Sequence, residues 1–227
     1  MTIESRRGEP GPWLRVGLGL LLAAVAGGVG LVLLADPVAP GLAGLVEGEL
    51  ERSGAENAVT AVLLNFRGYD TLLEIAVLTS ALVGVWALGP APRIRETTPS
   101  PVLLGLNSVL IPLAPVICAY LLWAGKSHPG GAFQAGAVLA AAVVLYILTG
   151  RRPRPRLPDA PMRWSAVVGL AVFIGVAVAV MGTGRQFLEY PVDLAGMLIL
   201  LVETAATLSI AVILAGMFIG GRPEDEP

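Results

Sequence analysis

Residues 192–220 read VDLAGMLILLVETAATLSIAVILAGMFIG, an apolar run in which Glu203 is the one charged residue beyond Asp193 at its start. A helix crosses about 30 Å of hydrocarbon with roughly 20 residues, and this run is longer than that. It shows no alternation of polar and apolar residues, which argues against a strand of a membrane barrel. The run therefore predicts a transmembrane helix.

Five more apolar runs lie upstream, separated by segments with the charges, Pro and Gly that are typical of loops. Their approximate bounds are 13–35, 58–88, 101–123, 131–149 and 164–181. The first run follows Arg6 and Arg7 as a secretion signal would, but the uncharged stretch 16–35 is longer than a signal core of about 7 to 15 residues. The sequence thus predicts an all-α, polytopic membrane protein with about six retained transmembrane helices.

The composition agrees with a membrane protein, since 55% of the 227 residues are hydrophobic and only 14% are charged. A formal net charge of -2 provides no basic field, so no nucleic-acid partner is expected. Cys118 is the single cysteine and lies in an apolar run. It is predicted to be a small buried residue rather than part of a disulfide or a zinc cluster.

The basic residues are sorted by loop, and this sorting predicts the orientation of the chain. Lys and Arg near helix ends are retained on the cytoplasmic side of a membrane. Of the 15 basic residues, Arg67 falls within a predicted helix, Arg52, Lys126 and Arg185 fall on one side, and eleven fall on the other. The eleven are Arg6, Arg7, Arg15, Arg93, Arg95, Arg151, Arg152, Arg154, Arg156, Arg163 and Arg222. We therefore expect both termini in the cytoplasm and the chain in the lipid bilayer of the cell inner (plasma) membrane.

The second run carries three charged residues at helical spacing, Arg67, Asp70 and Glu74. At about 100° per residue, Asp70 lies roughly 60° from Arg67 and Glu74 falls between them, so the three side chains share one face. A charge near the bilayer centre costs on the order of 3 kcal/mol, so this stripe must face protein or a water-filled cavity. Gly68 permits a local distortion or a close approach of another helix.

The stripe holds one basic and two acidic groups, which leaves one excess negative charge. Either Glu74 is protonated, or a cation or a basic residue of another chain compensates it. Arg67 and Asp70 are candidates for an ion path but also for a pair that fixes helix packing. Glu74, which that pair leaves without a partner, is the stronger candidate for ion handling.

Glu203 is a second acid inside an apolar run, with Leu and Thr as neighbours and no basic residue in reach along its helix. It is predicted to face protein or water as a further ion-path candidate. Two environments fit its sequence: the polar layer around Asp70 and Glu74, or a protonated group hydrogen-bonded to a neighbouring Thr.

The turn between the third and fourth runs reads KSHPGGAFQAG over residues 126–136. Pro129 ends one helix, and Gly130 and Gly131 allow a tight reversal. The small residues that follow, up to Gly136, give the next helix a face for close packing. The turn is therefore predicted to be a packing device, with the lone His128 a structural or incidental residue.

No pattern for catalysis or cofactor binding appears. No nucleophile, base and orienting acid converge, and no metal-ligand cluster or phosphate-binding glycine loop is present in the sequence. Pro112 and Pro115 predict a kink or break in the third helix rather than a chemical role. We expect no enzymatic activity, no metal and no cofactor.

Two stretches resemble known families. Residues 65–75, NFRGYDTLLEI, resemble the F-R-G-x-D-T-x-x-E-I motif near the C-terminal end of the large A-type component of Mrp/Mnh antiporters and in the equivalent small component of membrane-bound hydrogenases. Residues 125–136 resemble the G-H-x-x-P-G-G-G-F-x-G-G turn of the Mrp/Mnh B-type family (MnhB), with Lys126 in place of the His. The resemblance implies two fused segments: a two-helix, E-type segment over residues 1–95 and a four-helix, B-type domain over residues 96–227.

The resemblance also implies a function. It points to an accessory subunit of a complex that exchanges Na⁺ or another monovalent cation for H⁺, assembled with other membrane subunits, in which Arg67, Asp70 and Glu74 contribute to the ion path. One alternative is a membrane subunit of an energy-converting hydrogenase or an inorganic-carbon uptake complex. The other is a purely structural assembly subunit, for which Glu74→Gln would leave assembly and transport intact.

Overall fold

The computed structural model describes residues 12–35, 41–89, 99–149 and 159–221, and these parts are helical without a strand among them. The helices are α1 (Pro12–Ala35), α2 (Ala43–Glu49), α3 (Ala58–Ala61), α4 (Gly68–Ala87), α5 (Pro101–Ala124), α6 (Ala132–Leu148), α7 (Asp159–Met181) and α8 (Ala195–Ile219). A 3₁₀ turn covers Leu50–Ser53, and a π turn covers Val62–Phe66. The predicted all-α class is confirmed.

Five helices are long and apolar enough to cross a membrane: α1, α4, α5, α7 and α8. The sixth predicted span is present as α6, which is apolar but only 17 residues long. At about 1.5 Å per residue this helix measures roughly 26 Å, a little less than the hydrocarbon thickness. The polytopic prediction is confirmed, with one helix shorter than expected.

The chain divides into two compact units, Met1–Ala43 and Gly44–Pro227. In the first unit the structure describes α1, whose apolar side chains are largely exposed. An apolar helix without packed neighbours among the described residues of its own unit is suited to contact with lipid or with another polypeptide.

In the second unit α8 is the central helix, and it packs against α4, α6 and α7. Its apolar residues are distributed all around the helix, as expected for a helix surrounded by others. Ile199, Val202, Ile210 and Ile213 are among its buried side chains. Most of the core of this unit lies on α8 and on the faces turned toward it.

Glycines allow the neighbouring helices to approach α8 closely. A Cβ added at Gly136 of α6 would lie 2.9 Å from Ile210 and 3.0 Å from the Thr207 carbonyl oxygen. A Cβ at Gly169 of α7 would lie 2.8 Å from Ser209. The Ser209 hydroxyl also donates a 2.5 Å hydrogen bond to the Ala166 carbonyl oxygen. The close packing predicted for the residues around Gly136 is confirmed, and its partner is α8 of the same chain.

The α5–α6 turn, the α7–α8 loop and residues 53–57 meet at one end of this unit, here called the turn end. The backbone N–H groups of Glu56 and Asn57 both donate to the Lys126 carbonyl oxygen at 3.0 Å. Gly54 lies against Ala195 at the start of α8, where a Cβ would be 2.5 Å from the Ala195 side chain. The three connections predicted to share one side of the membrane thus lie together.

Three predictions about the helices need correction. The second span is not continuous, because the π turn interrupts it and α4 begins only at Gly68. Of the kink or break predicted for the third helix, the break is wrong, since α5 continues through Pro112 and Pro115, and the kink stays a prediction. Residues 43–53, predicted as loop, form α2 and a 3₁₀ turn. Most of the arginines that predict the orientation, and the linker residues 90–98 and 150–158, lie outside the described residues, so the orientation stays a prediction.

Candidate functional site

Arg67 lies at a break between two helical segments rather than inside a helix. Its backbone (φ -126°, ψ 33°) is not helical, and the π turn ends immediately before it. The break is internally satisfied, because the Arg67 N–H donates to the Val62 carbonyl oxygen at 2.7 Å and the Thr71 hydroxyl donates to the Leu63 carbonyl oxygen at 2.7 Å. The local distortion predicted beside Gly68 is confirmed, and it places Arg67 at the N-terminus of α4.

The three charged residues of the stripe are all exposed. Arg67 forms an ion pair with Asp70, and their side chains are 66% and 50% exposed. Glu74 is also exposed, and it has no hydrogen-bond or ion-pair partner among the described residues. The opposite face of α4, with Leu72 and Ile75, packs into the core. The stripe is therefore on the side of α4 that the described residues of this unit leave uncovered.

Glu203 has the opposite environment, since it is 5% exposed and faces the start of α6. Its carboxyl group lies against the backbone N–H of Ala132, the first residue of α6. Gly131, which precedes α6 with φ 106°, lies so close that an added Cβ would be 2.9 Å from Glu203 Oε1. A carboxyl group beside a helix N-terminus meets free N–H groups and the positive end of the helix dipole. Glu203 thus completes the N-terminus of α6.

Of the two environments predicted for Glu203, a hydrogen bond from its carboxyl group to a neighbouring Thr was wrong. The Thr207 hydroxyl donates to the backbone carbonyl of Glu203 at 2.8 Å, and Thr204 donates to the Leu200 carbonyl, so neither binds the carboxyl group. The carboxyl group instead faces the glycine turn, which brings together two features that the sequence presents far apart.

The acids nevertheless lie at a similar depth in the helix bundle. Leu82 of α4 contacts Gly216 of α8, where an added Cβ would be 2.8 Å from Leu82 Cδ1. The two helices run parallel, because residues 53–57, which precede α4, and the start of α8 both lie at the turn end. Counting back equally along both helices places Asp70 about level with Thr204, the neighbour of Glu203. The two acidic sites thus form one layer, with one site outside the bundle and one inside.

The glycine turn is held by residues that sequence reasoning did not single out. The Thr60 hydroxyl donates to the Gly125 carbonyl oxygen at 2.6 Å, and Asn57 caps α3 by accepting from the Val59 and Thr60 N–H groups. The Asn65 side chain donates to the Ser53 carbonyl oxygen at 2.8 Å. These contacts fix the segment before the Arg67 break onto the turn. No sequence signal reveals the Thr60 and Asn65 contacts, since each joins distant segments by tertiary packing.

Two other observations concern the remaining predictions for the site. A cavity of about 720 Å³ lies between α5, α6, α7 and α8, and apolar residues such as Ile111, Leu139 and Val168 line most of it. His128 is exposed and its ring contacts the Ser127 hydroxyl at 2.9 Å. Within the described ranges, no three His, Cys, Asp or Glu side chains group as metal ligands would.

Comparison with protein families assigns the two parts of the chain. The family model described as "Domain related to MnhB subunit of Na+/H+ antiporter" matches residues 102–221. A second family model, MbhE, which describes the E-type component of MBH, matches residues 14–101, and these include the Arg67 break.

A curated relative from Rhizobium meliloti (strain 1021), a probable K(+)/H(+) antiporter component of combined A/B type, is 29% identical to this chain. The alignment covers 75% of this chain and 20% of the relative. The chain thus spans about a fifth of the length of the relative that it matches.

Two solved structures share the fold. The structure of the Mrp complex from Dietzia sp. DQ12-45-1b matches with a TM-score of 0.68 and 20% identity over 97% of this chain and 27% of that chain. The membrane-bound sulfane sulfur reductase, described as an archaeal respiratory membrane complex, matches with a TM-score of 0.66 and 24% identity over 90% of this chain and 98% of that chain. Both matches come from membrane complexes with several chains.

The family and the apolar helices identify a multi-pass protein of the plasma membrane. The MnhB model covers more than half of the sequence, and the glycine turn and Glu203 both lie inside the matched range. The chain belongs to the family of domains related to the MnhB subunit of Na⁺/H⁺ antiporters.

Proposed function

We propose that this chain is an accessory subunit of a Mrp-type antiporter that exchanges Na⁺, or another monovalent cation such as K⁺, for H⁺. The family membership supports the antiporter class, and the name of the Rhizobium relative supports K⁺ as an alternative to Na⁺. In this proposal residues 1–95 supply an E-type segment, residues 96–227 supply a B-type domain, and the chain carries no catalytic centre of its own.

The uncovered stripe on α4 is the observation that carries the proposal. Arg67 and Asp70 neutralise each other, whereas Glu74 lies exposed one turn further along without a partner among the described residues. An ionisable group inside a membrane-spanning helix is expensive to expose to lipid, and such groups mark ion paths or contacts with other subunits. We therefore assign Glu74, with Arg67 and Asp70, to an ion path that a partner membrane subunit completes. In the same proposal Glu203 belongs to the same layer of acidic groups but lies inside the helix bundle.

The test is Glu74→Ala in the whole assembled complex, with Na⁺/H⁺ and K⁺/H⁺ exchange measured in everted membrane vesicles across a range of pH. We expect exchange to fall by about tenfold or more, as for loss of an essential ionisable group in a membrane path. Glu51→Ala is the matched control, since Glu51 is an exposed acid on the 3₁₀ turn outside the candidate spans. Unchanged exchange in Glu74→Ala at normal complex abundance contradicts the ionic role.

A second candidate function is that of a membrane subunit of a respiratory or hydrogenase-type redox complex. The match to the sulfane sulfur reductase chain over 98% of its length favours it, as does the match to the MbhE family model. A complex purified through a tag on this chain distinguishes the two: the antiporter contains no bound iron, whereas a redox complex shows iron–sulfur absorbance and stoichiometric iron.

A further inference from the structure

A polar pocket of about 290 Å³ lies between the Arg67 break and the α7–α8 loop. Its walls are residues 65–69 on one side and 186–189 on the other, with Asn65, Arg67, Gln186 and Glu189 as the polar side chains. A single water needs only roughly 10–15 Å³ of accessible space, so the pocket has room for several. The pocket is therefore polar and large enough to hold water.

The position of the pocket requires it to be hydrated or covered by protein. By the register of α4 against α8, Arg67 is about level with Leu201, roughly 9 Å along α8 from its start at Ala195. Each wall contains a residue with irregular backbone, since Arg67 is non-helical and Leu188 has φ 63°. Irregular backbone at membrane depth is tolerated only where protein buries it or where it lines a water-filled cavity.

The charges around the pocket are balanced. Arg67 is paired with Asp70 on one wall. On the other wall, Glu189 accepts a 2.8 Å hydrogen bond from the Gln186 N–H and lies 3.9 Å from the Arg185 guanidinium. A pocket without net charge neither repels a cation nor holds it tightly, and this suits passage more than storage.

We infer that this pocket is a water-filled access route through which protons or hydrated monovalent cations reach Asp70 and Glu74 from the turn end. The inference rests on the proposed function for the destination of the ions, but hydration of the pocket is an independent property. Arg67 joins the two parts, because its side chain lines the pocket and also pairs with Asp70. Tyr69 and Phe187, whose rings contact edge to face with centroids 5.8 Å apart, hold the two walls together.

Cysteine accessibility in the whole complex tests the inference. Replacing Cys118, the single cysteine, by Ala gives a cysteine-free background. Gln186→Cys and Phe66→Cys then place one thiol on each wall, and Val77→Cys is the control because Val77 is 67% exposed on α4 but lies outside the pocket. A charged, water-soluble methanethiosulfonate reacts with the thiolate in water, so we expect both pocket thiols to react about tenfold or more faster than Val77→Cys.

Transport after labelling provides the second reading. We expect cation/proton exchange to fall at least about fivefold when either pocket cysteine carries the charged adduct, since the adduct fills the route. Pocket thiols that react no faster than Val77→Cys overturn the inference of a hydrated pocket. Rapid labelling without loss of exchange overturns its role as the route, and both failures leave the Glu74→Ala result untouched. If Glu74→Ala itself leaves exchange unchanged, the ion path fails, whereas the labelling rates still report on hydration.

Discussion

Asp70 and Glu203 are acids at about the same depth of one helix bundle, yet their surroundings are opposite. Asp70 is half exposed on the uncovered face of α4, and its partner Arg67 is its neighbour in sequence. Glu203 is buried, and its carboxyl group faces the backbone N–H of Ala132 on another helix. Membrane location alone therefore does not determine what a charged residue does.

Because of this difference, substitutions at the two sites should affect different properties of the protein. When a buried polar side chain is removed, the group that faced it is left unsatisfied inside the fold. The substitution therefore lowers the stability of the folded chain. An exposed group with a local partner contributes little to that stability, so its importance is in what binds to the exposed face. We expect substitutions around Glu203 to destabilise the chain and substitutions in the stripe to affect transport or assembly.

The largest expected effect concerns the contact that brings α6 to Glu203. Gly136→Val inserts side-chain atoms where a Cβ alone would be 2.9 Å from Ile210, so α6 must move away from α8. Overpacking of this kind costs about 3 kcal/mol, and thermal unfolding of the detergent-solubilised chain measures it. Gly105→Val in α5 is the control, because an added Cβ there meets nothing within 4 Å. Equal unfolding temperatures for the two variants would show that the α6–α8 contact is not tight.

The next effect distinguishes the two acids directly. Glu203→Ala removes the buried carboxyl group that faces the Ala132 N–H and leaves a cavity, for which we expect a loss of about 2 kcal/mol. Glu203→Gln retains an acceptor oxygen and should lose less than about 1 kcal/mol. Glu74→Ala should leave the unfolding temperature of the isolated chain unchanged, since Glu74 contacts no partner among the described residues. If Glu203→Ala unfolds at the same temperature as the parent chain, the role of Glu203 at the N-terminus of α6 is contradicted.

A smaller effect is expected for the exposed pair. In a double-mutant cycle with Arg67→Ala and Asp70→Ala, the coupling energy in the isolated chain should be about 0.5 kcal/mol or less, as for solvent-exposed ion pairs. The same cycle in the assembled complex should show a larger coupling, because a covering subunit removes the pair from water. The measurement is thermal unfolding of the chain and of the complex. Equal couplings in the two states indicate that no subunit covers this face.

The helices could be predicted from sequence because their length and hydrophobicity are local properties. Six apolar runs at spanning length predicted α1, α4, α5, α6, α7 and α8, and the spacing of Arg67, Asp70 and Glu74 predicted a shared face. The Arg67–Asp70 pair was predictable for the same reason, since residues three apart contact each other within one turn.

What the sequence could not provide are contacts between distant segments. Glu203 and Ala132 are separated by most of α6 and all of α7, so no spacing rule relates them. The pocket combines residues near 67 with residues near 187, and loop residues such as Gln186 have no pattern of their own. Asn107 was missed for a related reason. Its side chain is buried and donates to the Leu145 carbonyl oxygen at 2.9 Å, a contact set by helix packing.

The smallest expected effect extends the comparison to a buried polar group without a partner. Tyr190, in the α7–α8 loop, is 5% exposed, and its hydroxyl has no hydrogen-bond partner among the described residues. Burial raises the pKa of the Tyr190 hydroxyl to about 12, above its ordinary value of 10.0. Tyr190→Phe removes this hydroxyl and should leave stability unchanged or raise it by up to about 1 kcal/mol at neutral pH.

The pH dependence of the same variant gives a sharper test. The neutral phenol is favoured in the folded state, so its contribution to stability is fully present below pH 10 and is lost as the pH rises toward 12, where the unfolded chain releases the proton first. Tyr190→Phe should therefore lose less stability than the parent chain between pH 10 and 12, as measured by thermal unfolding over that range. Identical alkaline profiles would mean that the Tyr190 hydroxyl is hydrated in the folded chain. The α7–α8 loop would then be open to water at Tyr190 as well as at Gln186. In that case the polar layer would reach further into the turn end than the burial of Tyr190 indicates.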